Sequence, residues 1–219
     1  MTDEHRAARA RRRTWVTGGV LVVLTALVGV FARFDLARFH FLKDVLWALA
    51  VTVLVIGLGR AGSITARRPI ASIVVLLQVA VASPLLPAFL SGLAPRDTGN
   101  LYEEEDAYMA LMMPYFFAVF ALTVAAVILI GIIGALPHGC SWAPAVVTAA
   151  SALASAAAVA VVPLTDEAGP VRRVLFEVPG AGMLLLGVLA IVLGVRAERA
   201  ERATPVVTER GGAEVSISS

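Results

Sequence analysis

Ala107–Leu136, AYMALMMPYFFAVFALTVAAVILIGIIGAL, runs for 30 residues without a charged side chain. At a rise of about 1.5 Å per residue, a helix of that length exceeds the ~30 Å hydrocarbon core of a bilayer. A soluble domain has no place for such a run, because a helix that is apolar all round must be surrounded by apolar matter. The stretch therefore reads as a membrane span, and the rest of the chain follows the same pattern.

On either side, long apolar runs recur with charges confined to the gaps. The reading is an all-α bundle of six transmembrane helices at about 14–32, 44–60, 70–94, 107–136, 143–163 and 178–195. Hydrophobic residues make up 59% of the 219 positions, above the roughly half expected of a soluble domain. The second span is the shortest, with only Val45 to Gly59 uncharged between Asp44 and Arg60. It crosses if Lys43 and Arg60 snorkel outward while Phe39 and Phe41 extend it into the headgroup region. Residues 1–13 form a basic tail and residues 196–219 a polar one. Of the latter, Arg196 to Arg202 is expected to prolong the sixth helix, with disorder beyond Pro205.

Arg11, Arg12 and Arg13 ahead of an apolar run look like the start of a signal peptide, but no small-residue cleavage site follows Val30-Phe31. The run is read as an uncleaved first span. With the N-terminus inside, inner segments hold Arg6, Arg9, Arg11, Arg12, Arg13, Arg60, Arg67, Arg68, Arg196, Arg199, Arg202 and Arg210. Outer segments hold Arg33, Arg38, Lys43, Arg96, Arg172 and Arg173. The excess of basic residues predicts both termini on the cytoplasmic side. Trp15, Trp47, Tyr102, Tyr108 and Trp142 near span ends agree with aromatic anchoring at the interfaces. The single Lys and the richness in Ala, Gly and Val match the coding bias of a GC-rich bacterium, a hint about source only; the expected location is the cell membrane. The net charge of +2 is explained by these flanking arginines, and no nucleic-acid partner is expected.

No span carries Asp, Glu, Lys, Arg or His in its central third, which argues against side-chain ion coupling. Gln78 is the one strongly polar side chain deep within a span. Downstream, Pro84 and Pro87 each remove a backbone donor and clash with a carbonyl four residues earlier, so a kink is expected between Ala80 and Pro87. Gln78, Pro84 and Pro87 are the candidate cavity or helix break, with Gln78 facing protein or water. Pro114 falls in the first two turns of its span. Gly180, Gly187 and Gly194 recur every seven residues on one face of the sixth helix and are expected to pack on the Ala-rich fifth. The two sets of three spans show no internal match that would indicate inverted repeats.

The remaining features favour structural readings. His40 and Asp44 share a helix face as a surface pair, and His5 and His138 are expected on the opposite side of the membrane. Arg96, Asp97, Glu103, Glu104, Glu105 and Asp106 form an acidic outer loop between Pro95 and Ala107, without the ligand spacing of a calcium site. Cys140 is the lone cysteine, which excludes an intrachain disulfide. Zincin, α/β-hydrolase, Walker and Rossmann signatures are missing, as is a paired intramembrane histidine for haem. The chain is therefore expected to be no enzyme and to need no metal or cofactor. Its first reading is a non-catalytic membrane subunit acting through helix packing, with lipid and either another membrane protein or itself as partner. The alternative is a carrier or permease component for a small, largely uncharged solute.

Overall fold

The structure, a computed structural model, describes residues 3–32, 37–58, 63–66, 68–93, 100–133, 136, 140–161 and 169–203. Its described elements are helices: α1 (Asp3–Ala32), α2 (Ala37–Ile56), α3 (Pro69–Val81), α4 (Leu85–Leu93), α5 (Leu101–Ile133), α6 (Ala143–Val161) and α7 (Gly169–Ala203). Five of them, α1, α2, α5, α6 and α7, are long and apolar enough to cross a membrane; the α3–α4 pair, bent by 52° at its break, makes a sixth if counted as one span. Phe116, Phe117 and Phe120 are 55%, 70% and 62% exposed on α5. An apolar surface of this kind suits lipid and is foreign to a soluble monomer. The chain is an all-helical protein compatible with multiple membrane crossings.

Every pair of consecutive spans packs together, and α1 also packs against α7, more extensively than any other pair. The order α1–α2–α3–α5–α6–α7 thus closes into a ring. α1 and α7 run antiparallel, since Gly187 meets Gly19 while Gly194 meets Trp15. The N-terminal half of α1, the C-terminal half of α7 and the segment after α2 therefore share one end of the bundle.

Several elements depart from the sequence expectation, each for a local reason. The N-terminal residues expected to need no fold are helical from Asp3, because good helix formers such as Ala and Arg continue α1 out of the apolar run. The acidic residues Glu103 to Asp106 belong to the first turns of α5 and not to a loop. Asn100 caps that helix: its Oδ1 accepts from Tyr102 N at 3.1 Å and its Nδ2 donates to Glu103 at 3.1 Å. Carboxylates at a helix N-terminus also meet the favourable end of its dipole. This earlier start leaves Pro114 well inside α5, and the earlier start of α7 does the same for Pro179. Asp44 pairs with Lys43 at 3.6 Å, where His40 had been the expected neighbour. Arg60, Arg67, Arg96, Asp97, His138 and the tail after Ala203 lie outside the described residues.

α2 ends at Ile56, short of residue 60, because Gly57 takes φ 77° and turns the chain. The freed end groups are satisfied by a tucked-in segment. Ile64 N donates to Leu54 O at 2.9 Å, Leu58 N donates to Thr14 Oγ1 at 2.7 Å, and Ser63 Oγ donates to Val55 O. Thr14 is fully buried at this junction of α1 and α2.

Candidate functional site

The expected glycine face of α7 exists, but it faces a different neighbour. A Cβ on Gly187 would lie 2.9 Å from Gly19 O, and one on Gly19 would lie 2.7 Å from Gly187 O. Gly187 and Gly194 are both buried, and Gly194 rests on Trp15 and Val16. The partner is α1, not α6 as expected. The reason is the Gly18-Gly19 pair, which strips α1 of side chains where the backbones cross; Gly18 in turn receives Leu54 of α2. The Ala-rich α6 contacts α7 through another face, with Val147 and Ser151 against Gly182. Gly180 is half-buried near the start of the span.

The break expected around Pro84 and Pro87 is sharper than a kink. α3 ends at Val81 and α4 restarts at Leu85. With no N–H on Pro84, Ala80 O instead accepts from Ser83 N at 3.3 Å, and Gln78 O accepts from Ala82 N at 2.9 Å. The turn thereby rescues the Ala80 carbonyl, which Pro84 would have orphaned. At 13 residues, α3 measures only about 20 Å, so it needs α4 to complete a crossing.

Gln78 lies just before this break and faces protein. Its Nε2 donates to Thr123 Oγ1 at 3.3 Å, and Thr123 Oγ1 donates to Val119 O at 2.7 Å. The threonine's only proton is occupied, so the amide atom facing it must be the donor. That assigns the orientation of the amide chemically.

Gln78 and Thr123 line a cavity of about 420 Å³ at the centre of the helix ring. Every helix except α4 contributes to its wall, including Trp15, Trp47, Ala126, Ser151 and Met183. Ile64 and Leu136 close one end, packed on the buried cluster of Val55, Val75, Ala126 and Ile130. Along α7 the wall runs from Pro179 to Leu193, and Gln78 and Thr123 face it from α3 and α5. Among the described residues the wall holds no Asp, Glu, Lys, Arg or His. Its polar side chains are Gln78, Thr123, Thr148, Ser151 and the two indoles. Such a volume falls in the range of small-molecule pockets, about 300–1,000 Å³.

Pro84 and Pro87 do not line the cavity; they set the break beside it. Sequence reasoning missed Thr123, although it is the one aliphatic hydroxyl between Ala107 and Ile133, and an isolated hydroxyl within reach of a buried amide is a usable signal. It also missed the Gly18-Gly19 pair. Among the described residues no group of three His, Cys, Asp or Glu is arranged to hold a metal. No known protein family, curated protein or solved structure matches the chain.

Proposed function

We propose that this protein holds a small, largely uncharged solute between its helices, as a carrier or permease component of the bacterial cell membrane. The cavity carries this reading: it is mostly apolar, free of charge, and equipped with an amide at mid-depth beside a broken helix. A charged solute would lose its hydration there without gaining a counter-charge. The glycine faces that argued for a partner protein are occupied within the chain by α1. One surface still favours the subunit reading: Ala149, Ala156 and Ala160 leave a small-residue face of α6 exposed.

The test uses the tryptophans that line the cavity. In a Trp142→Phe background, which removes the indole that is 51% exposed, bromodecane should quench Trp15 and Trp47 saturably in nanodiscs. Ala190→Phe, which fills the cavity, should abolish the saturable phase and leave only linear quenching from dissolved probe. Linear quenching in both proteins, together with a stoichiometric protein partner after purification in mild detergent, would replace the carrier by the subunit.

The proposed topology has six spans with both termini cytoplasmic, α3 and α4 together forming the third. Reporter fusions after residues 100 and 170 should be external, and those at 64, 139 and 210 internal. A cytoplasmic signal at residue 100 would mean that the α3–α4 pair re-enters and does not cross.

A further inference from the structure

The hydroxyls carried by the helices are used unevenly, inside the cavity and outside it. Thr14, Thr25 and Thr123 each donate to the carbonyl four residues earlier, those of Ala10, Leu21 and Val119, at 3.0, 2.8 and 2.7 Å. That back-bond is the default refuge of a hydroxyl on a helix with no water to meet. Thr148 and Ser151 depart from it. Among the described residues neither hydroxyl has a hydrogen-bond partner, and both line the cavity. Gln78 is half-satisfied in the same way: its Nε2 bonds Thr123, while its Oε1 meets no donor among the described residues. Among the described residues no buried side-chain polar atom is left unpaired, so these atoms are open to whatever fills the space around them. An acceptor on α3 and two hydroxyls on α6 thus line one mostly apolar cavity.

We infer that the occupant is a neutral amphiphile with a single hydroxyl head: the head donates to Gln78 Oε1 and accepts from Ser151 or Thr148, and its hydrocarbon lies along the apolar wall. This rests on the carrier reading and adds the chemistry of the solute. A group that both donates and accepts matches the three free sites; an ether only accepts, and a plain hydrocarbon leaves all of them unpaired. Size bounds the molecule. A cavity of about 150 Å³ accommodates benzene, so scaling by volume admits on the order of 15 non-hydrogen atoms, which describes a medium-chain alcohol rather than a two-chain lipid.

The experiment compares three probes of one chain length, bromodecane, bromodecyl methyl ether and ω-bromodecanol, by saturable quenching of Trp15 and Trp47 in the Trp142→Phe protein. Each affinity is corrected for the probe's partition into the nanodisc. The alcohol should bind about three- to tenfold more tightly than the ether. Gln78→Leu should erase that difference while bromodecane binding persists. Thr148→Val with Ser151→Ala should lower the affinity of both oxygen-bearing probes relative to bromodecane. Equal binding of the three probes by the unaltered cavity, or a preference that survives Gln78→Leu, would overturn the inference and leave the carrier reading standing. Absence of saturable quenching by all three would overturn both.

Discussion

Gly187→Leu is expected to be the most damaging single substitution in the bundle. The Cβ alone would fall 2.8 Å from Val23 Cγ2 and 2.9 Å from the carbonyl oxygen of Gly19. A backbone atom cannot swing aside as a side chain does, so α1 and α7 must separate along their length. Overpacking a core costs about 1–3 kcal/mol where side chains can give, and this site belongs at the upper end or beyond. For a chain of this size that corresponds to a fall in melting temperature of roughly 2–4 °C per kcal/mol. Leu185 is two residues away but 61% exposed, and Leu185→Ala should change stability by about 0.5 kcal/mol or less. Thermal unfolding of both variants in one detergent makes the comparison. Equal losses would mean that the glycine face meets lipid. Gly19→Leu should reproduce the Gly187 effect, because the contact is reciprocal.

The second large effect is expected at Thr65, which is fully buried in the segment between α2 and α3. Its Oγ1 lies 2.8 Å from Ser63 Oγ and 2.8 Å from Ser72 Oγ. Ser63 donates its proton to Val55 O, so Thr65 must donate to Ser63 and Ser72 must donate to Thr65. The result is a one-way relay tying the first turn of α3 to the last turn of α2. Thr65→Val keeps the shape and removes the relay, leaving Ser72 without its acceptor and Ser63 Oγ with only the backbone N–H of residue 65, at 3.2 Å, as donor. Losing partners at a buried polar site costs about 1–3 kcal/mol. Thr65→Ser retains the hydroxyl and should recover most of the stability. A valine variant as stable as the serine variant would show that the methyl group, and not the hydroxyl chain, matters at this position.

Much of the architecture was legible because hydrocarbon imposes a simple rule. A backbone out of water must close its own hydrogen bonds, so an apolar run of sufficient length becomes a helix whatever its neighbours are. Ala107–Leu136, the Ala-rich fifth run and the proline pair at 84 and 87 are all readable on that basis. Errors gathered at the ends, where apolarity stops being the deciding signal. The extent of α5 was set by the Asn100 cap and its acidic first turn, and the end of α2 by Gly57.

The site was legible only in part. Gln78 stands out as an amide in an apolar run, and the glycines of α7 stand out by their spacing, so both were found from composition along one strand of sequence. Their partners were not. Thr123 is 45 positions from Gln78, and Gly19 meets Gly187 only because the ring closes between the first and last helices. The helical character of each apolar segment follows from its solubility taken separately. Which helices touch, which hydroxyls remain free and where a cavity opens depend on how faces match across the bundle. Lipid makes no distinction among apolar faces, so close contact between small residues decides those pairings, and that is a property of two helices at once.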